Sequence, residues 1–317
     1  MGYKQITDEL SDSTVLVVGG GGFIGSALSK KLNTLGARII SLVCSGTKKR
    51  ESLPNVTTIA ADIREHMFLK KALANYSFDY VFNLGGYIDH SPYLQGGRDV
   101  VNAHYTGMLN LLDYVFTPSL KKFVQIGSSD EYGNGLSPQS ENLREAPISP
   151  YSAAKVGATH LIQALSRTEC LPGVVVRLFL VYGPGQDDRR FLPQIIKGCL
   201  DGRTFPTSYG EQLRDFCYIE DVVEGLILAA VKPKAVGHVI NIASGQPVTI
   251  RSVIEKVVEL IGNGYPDFGA YPYRSGENMK LYADVSLAHD LLGWRATTSL
   301  EDGLKKTMSW YAQRFKG

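Results

Sequence analysis

The stretch "VLVVGGGGFIGSAL" (Val15–Leu28) limits what this chain can fold into more than any other. An unbroken apolar run suits a strand of a parallel sheet, which is covered on both faces. The spacing Gly19-x-x-Gly22-x-x-Gly25 follows directly and opens a helical segment that runs to Leu35, where Gly36 stops it. Glycines there let the backbone turn tightly, approach a pyrophosphate and pack a helix against the strand. The N–H groups of the helix N-terminus are then free to meet the phosphates. Strand, loop and helix in that order are what a dinucleotide site needs.

The rest of the chain repeats the alternation. "ARIISLV", "NVTTIAADI", "DYVFNLGG", "KKFVQIGSS" and "GVVVRLFLV" each read as a strand, separated by helix-length segments. This predicts an α/β protein with a Rossmann-like, doubly wound parallel sheet and right-handed crossovers. After Tyr182 the texture turns irregular, aromatic and rich in Gly and Pro, so a smaller C-terminal substrate-binding lobe is expected. The division predicted is 13–182 with returning segments near 213–245 for the nucleotide-binding domain, and 183–212 with 246–317 for the lobe.

A net charge of +2, with 33 basic and 31 acidic residues interspersed, lacks the basic footprint of a nucleic-acid binder. No stretch is apolar for long enough to span a bilayer, and the polar "MGYKQITDELSDS" does not resemble a secretory signal. The four cysteines are scattered, with no CxxC pair, so neither a metal site nor a disulfide framework is expected. A cytoplasmic protein with reduced thiols follows as the expectation.

The end of the second strand bears on the cofactor. An acid there bonds a ribose 2′-hydroxyl, and basic residues accept a 2′-phosphate. The chain has Val43 and Cys44, then Ser45, Lys48, Lys49 and Arg50. Either this is a solvated basic turn or it selects NADP(H). The missing acid favours NADP(H), with NAD(H) as the alternative.

Tyr151 and Lys155, in "YSAAK" after Pro150, are spaced i, i+4 and so share one helix face. A neighbouring ammonium favours phenolate and is expected to lower the tyrosine pKa, making Tyr151 a proton donor or acceptor. Ser128 closes the preceding strand, the end where open α/β sheets bind ligands.

With these residues in hand, the chain resembles an extended short-chain dehydrogenase/reductase, the group of NAD(P)-dependent nucleotide-sugar epimerases, dehydratases and reductases. The likeness runs from about Thr14 to Tyr311. It includes "ADI" (Ala61–Ile63), "NLGG" (Asn83–Gly86), Asn102 in "NAHYTGMLNLL", "RLFLVYGPGQ", "LRDFCYIEDV" and "LGW". The resemblance implies Ser128, Tyr151 and Lys155 as the catalytic set, with Asp130 as a further candidate. It implies a cofactor cradle of Gly19, Gly22, Phe23, Ile24, Gly25, Ser45, Lys48, Asp62, Ile63, Leu84, Gly85 and Gly86, completed by Tyr151 and Lys155. For the nucleotide-diphosphate sugar it implies Arg214 and Arg274 on the diphosphate and Phe205 near the base. Asp89, His90 and Ser129 are candidates for the sugar, and Leu180 departs from the pattern, standing where many epimerases have a substrate-binding Asn. A homodimer through the helices from Arg98 to Phe116 and from Ser152 to Ser166 is inherited from the same likeness.

Three reactions share such a site. "GSSDEYG" is closer to the "GSSEEYG" of reductases that act on GDP-4-keto-6-deoxymannose than to the Thr-Asp-Glu or Thr-Ser-Glu of 4,6-dehydratases. Asp130 stands where the dehydratases have Glu, one methylene shorter. These features favour an NADPH-dependent 4-reductase, with 4-epimerase or 4,6-dehydratase as the alternative. "YIDHS" (Tyr87–Ser91) is unusual, and Asp89 with His90 is read either as a second acid/base pair or as a hydrogen-bonded loop. A non-catalytic, cofactor-sensing protein is the remote reading, because such chains tend to lose Tyr or Lys.

Overall fold

A computed structural model describes residues 3–44, 46, 53–273 and 276–315. Its main sheet contains β1 (Thr14–Val18), β2 (Arg38–Val43), β3 (Val56–Ala60), β4 (Tyr80–Asn83), β5 (Lys122–Ser128) and β6 (Gly173–Leu178). A smaller mixed sheet is built from β7 (Leu180–Tyr182), β9 (Leu213–Tyr218), β11 (Pro247–Thr249) and β13 (Lys280–Leu281). Strands β8 (Thr204–Thr207) and β12 (Tyr265–Phe268) pair with each other, and β10 (Val239–Ile242) returns to the main sheet. The helices are α1 (Tyr3–Leu10), α2 (Phe23–Thr34), α3 (His66–Leu73), α4 (Gly97–Val101), α5 (Gly107–Val115) and α6 (Pro150–Thr168). They continue with α7 (Phe191–Leu200), α8 (Ile219–Val231), α9 (Ile250–Ile261), α10 (Ser286–Leu292) and α11 (Leu300–Phe315).

The main sheet is parallel throughout, in the order β10-β6-β5-β4-β1-β2-β3. It is a doubly wound Rossmann-like sheet, and its strand order reverses between β1 and β4. Side chains alternate across a strand, so each apolar run feeds two cores at once. Val15, Val17, Val124 and Val176 join the core under α2 and α8. Leu16, Val18, Phe123 and Val175 join the one under α3, α5 and α6.

The first of these cores continues without a break into the C-terminal part, reaching Val253, Trp294, Leu304 and Tyr311. The expected division therefore does not coincide with a gap in packing. Segment 213–218 lies in the smaller sheet, whereas α8 and β10 return to the larger one. The amino-terminal segment also contributes, since Ile6 and Leu10 of α1 are buried in the same core. The residues of "YIEDV" and "LGW" clamp the parts together. Asp221, buried in α8, accepts from Thr297 N (3.3 Å), Thr297 Oγ1 (3.0 Å) and Thr298 N (3.0 Å), and Trp294 Nε1 donates to the Asp221 carbonyl at 3.1 Å.

The helix predicted from Arg98 to Phe116 is interrupted. Residues Asn102–Thr106 form a π-helical turn between α4 and α5, a wide turn often found beside functional sites.

Removing the Asp221 carboxylate strands its three donors, so Asp221→Ala is expected to cost about 2–4 kcal/mol of stability. Urea unfolding followed by circular dichroism measures this.

Candidate active site

The carboxyl ends of β1, β4 and β5 converge at the point where the strand order reverses, which is where open α/β sheets take their ligands. After β1, Gly19 adopts φ +75°, in the left-handed region that side chains avoid. A Cβ on Gly25 would stand 2.3 Å from the Gly19 carbonyl oxygen, so only glycine lets α2 start this close to the strand. Gly22 is the N-cap of α2 and offers no side chain to its first N–H groups. That leaves a cradle of backbone donors at a helix N-terminus, which fits a pyrophosphate. Phe23 and Ile24 occupy the first turn of α2 and pack partly into the core.

After β4, the Asn83 side chain accepts from Gly85 N (3.2 Å) and donates to Gln125 (2.8 Å), which fixes the turn through Leu84, Gly85 and Gly86. Ile63 is buried against Gly85 and Gly107 and acts as a spacer. The Asp62 carboxylate is taken by Arg64, through its backbone N at 2.9 Å and its guanidinium at 2.6 Å. Ser45, Lys48, Lys49, Arg50 and Arg274 lie outside the described residues.

The catalytic candidates meet at the end of β5. Ser149 caps α6 reciprocally with Ser152, and Pro150 occupies the first turn, so Tyr151 enters the helix at its mouth. The Ser128 hydroxyl stands close enough to the Tyr151 phenol to favour its phenolate. Lys155 Nζ is 5.8 Å from the centre of the Tyr151 ring and donates to the Ile126 carbonyl at 2.8 Å.

Burial sets the electrostatics. Lys155 is almost free of solvent, and desolvation pulls its pKa down to about 8 against the opposing pull of Glu131 and Asp130. Tyr151 does not show the lowered pKa expected from the i, i+4 lysine. Loss of solvent penalises the phenolate most, and the phenol is raised above its ordinary value despite the neighbouring Ser128 hydroxyl.

The "YIDHS" segment divides its two polar residues. Asp89 turns back on its own loop and accepts from Ser91 N (2.8 Å) and Ser91 Oγ (2.6 Å). His90 instead reaches Asp130, Nε2 to Oδ2 at 2.8 Å, and sets its ring edge-on to Tyr151 with centroids 5.4 Å apart. Ser129 is buried, and Leu180, on β7, is exposed. Phe205 packs over Gly198 of α7. Arg214, nearly buried, pairs with Glu277 and not with Asp215. Strand alternation turns Asp215 the other way, to Ser244, Gly245 and Ala283.

Two residues here were not among the candidates. His104, carried by the π-helical turn, is buried edge-on to Tyr151 with centroids 5.0 Å apart, and its Nε2 pairs with the Tyr87 carbonyl at 2.8 Å. Burial, helped by the charge of Lys155, pulls its pKa down to about 3, so it is neutral and donates that bond. A Cβ on Gly86 would collide with its ring at 2.2 Å. Nothing in the apolar spacing of that helix marks His104. The second is Glu131, fully buried, and "SSDE" does carry its signal as a capping box. Among the described residues no cluster of His, Cys, Asp and Glu could hold a metal ion, and no helix is long and apolar enough to cross a membrane.

The sequence profile of the NAD dependent epimerase/dehydratase family matches residues 15–243. A dTDP-glucose 4,6-dehydratase of Escherichia coli is 28% identical over 340 residues, covering 95% of this chain and 93% of its own. The crystal structure of a UDP-glucose 4-epimerase from Thermotoga maritima with UDP-glucose superposes with a TM-score of 0.89 at 28% identity, over 95% of this chain and 99% of that one. MoeE5 in complex with UDP-glucuronic acid and NAD superposes with a TM-score of 0.83 at 28% identity, over the same shares.

A buried ammonium stands in the fold at a cost. Below pH 8 the unfolded chain solvates this charge better than the folded one. Between about 8 and 10.5 the unfolded chain binds the extra proton, so stability rises with pH through that window. Lys155→Met is therefore expected to stabilise the cofactor-free protein by about 1–3 kcal/mol at pH 7, with the gain shrinking toward pH 10. Urea titrations at the two pH values test it.

Proposed function

The chain belongs to the NAD dependent epimerase/dehydratase family, an enzyme family of nucleotide-sugar chemistry, and from that premise we propose that it is an NADPH-dependent 4-reductase of nucleotide-linked 4-keto-6-deoxyhexoses. The observation that carries hydride transfer is the Ser128–Tyr151–Lys155 set at the end of β5, with the Ser128 hydroxyl beside the phenol and the Lys155 ammonium beneath the ring; the choice of reduction rests on the two features below. When bound, the nicotinamide cofactor supplies hydride to the sugar carbon. Tyr151 donates its phenolic proton to the oxygen at that carbon, and Ser128 holds the same oxygen. A phenol raised by burial keeps its proton at neutral pH, which suits donation in the reductive direction. Lys155 would hold the ribose of a bound cofactor, and its ammonium would stabilise the phenolate left when Tyr151 gives up its proton. Arg214, with Arg274, takes the diphosphate, for which its present ion pair with Glu277 must open.

Two features favour reduction over water removal. Asp130, at the position of the dehydratase Glu, is one methylene shorter, and Ser128 stands in place of the Thr. Val43 and Cys44 provide no acid for a 2′-hydroxyl, and the basic run Lys48–Arg50 follows them, which supports NADP(H). A second reading, epimerisation or dehydration with a retained cofactor, is favoured by one observation, the His90–Asp130 pair beside Tyr151. That pair supplies a second proton-transfer site. The reading also includes a cytoplasmic homodimer, whose interface would use α5 and α6, where Leu109 is exposed.

Protein stripped of cofactor, mixed with NADPH and each of several nucleotide-linked 4-keto-6-deoxyhexoses, is expected to oxidise NADPH stoichiometrically with one of them. It should bind NADPH at least about tenfold more tightly than NADH, the size of one well-placed charged contact. No net oxidation with any, together with NAD retained on the purified protein, would replace reduction by internal redox recycling. Tyr151→Phe is expected to lower kcat at least about a hundredfold while NADPH affinity changes little. Unchanged turnover in that variant removes the catalytic assignment.

A further inference from the structure

We infer that Glu131 is a positioning residue for the reaction: its buried carboxylate ties the Ser128 end of β5 to the helix that carries Tyr151 and Lys155. The inference rests on reading Ser128, Tyr151 and Lys155 as the catalytic set. Tyr151, Lys155 and Thr159 recur every fourth residue and form one stripe along α6. Each of the three faces the end of β5 or the turn that follows it. Tyr151 meets the Ser128 hydroxyl, Lys155 meets the Ile126 carbonyl at 2.8 Å, and Thr159 Oγ1 donates to Glu131 Oε2 at 2.7 Å. The other oxygen of the same carboxylate accepts the Ser128 N–H at 2.8 Å. One side chain therefore sets the distance between the serine and the helix.

The surroundings are built for that carboxylate. Glu131 and Thr159 are completely buried. A Cβ on Gly127 would stand 2.5 Å from Glu131 Oε1, so the strand keeps a glycine where the carboxylate lies. Arg177 of β6, itself without solvent contact, donates through Nε to Glu131 Oε2 at 2.9 Å and through its terminal nitrogen to Glu145 at 2.6 Å. A buried ion pair is weak evidence for stability, because desolvation offsets most of its attraction. Two carboxylates around one guanidinium leave a net negative charge, which is more than a structural pair needs. That surplus faces Lys155, whose ammonium burial would otherwise disfavour, and Glu131 is the strongest of the groups that oppose this effect. The charged and titratable groups around Glu131 are Asp130 with His90, and Tyr132, from its own turn and the loop facing it. Arg177 comes from β6 and Glu145, backed by His160, from the segment before α6, with Glu141 beyond. Lys155 and Tyr151 face it from α6.

The test is a double-mutant cycle in the full-length protein, read on turnover of the nucleotide sugar. Glu131→Gln is expected to lower kcat at least about tenfold, with KM and NADPH affinity at pH 7 within about threefold, because a small misplacement of a reacting group is expensive. In the Ser128→Ala background the same substitution should lower kcat less than about threefold, since the group it positions is gone. Should Glu131→Gln fail to fold, Thr159→Val enters the same cycle, as it cuts the tie to α6 and leaves Arg177 paired. An independent reading needs no sugar. The pH above which NADPH affinity falls should move down by about one unit in Glu131→Gln, as Lys155 loses its neighbouring charge. Equal losses in both backgrounds, an unchanged kcat, or an unshifted alkaline limb overturns the inference. If no nucleotide sugar is turned over by the unaltered protein, the substrate reading fails, and the NADPH titration alone decides the role of Glu131.

Discussion

At the end of β5 the ammonium of Lys155 donates to the Ile126 carbonyl at 2.8 Å, in a place water does not reach. Most of the surrounding chemistry answers to that placement. A buried cation is costly unless negative charge is brought near it, and the turn after β5 brings Asp130 and Glu131. The phenol that sits above it is also buried, so burial governs its proton affinity more than the lysine does. A neutral histidine on the far side avoids adding a second positive charge to the same pocket.

Delivering these groups to one point is the work of the sheet. Parallel strands present all their carboxyl ends on one edge, and the reversal of strand order between β1 and β4 opens a crevice there. Gly19 and Gly25 bring the backbone of the first loop close to α2 on one side of that crevice. The turn after β4 and the end of β5 bring the hydroxyl, imidazole and carboxylate groups on the other. The larger core runs on into the C-terminal part, so the segment that carries Arg214 is anchored to the same packing as the cofactor cradle.

On the proposed reading, specificity would fall to groups at the mouth of the site. Arg214 is held by Glu277, and the turn between β10 and β11 is pinned by Asp215, which accepts from Ser244 and Gly245. His90 and Asp130 hold each other across two loops beside Tyr151. The site thus has a dry floor, formed by Lys155, Glu131 and Arg177, and a wetter rim of His90 and Asp130.

The sequence alone determined the strands, the glycine loop, the Tyr151–Lys155 face and the serine before it. Each depends on local chemistry: unbroken apolar runs, glycine where a side chain would collide, and spacing that matches a helical turn. Even the capping box of Ser128 and Glu131 is written in "SSDE", although its neighbours are not. Only the tertiary structure decided that Glu131 meets Thr159 and Arg177, that His104 enters the site through a π-helical turn, that Arg214 pairs with Glu277, and that Tyr151 is raised rather than lowered. These are contacts and solvent exclusions between residues far apart in the chain. A pKa or an ion pair depends on which groups share a dry volume, and spacing along one helix says nothing about what packs over it.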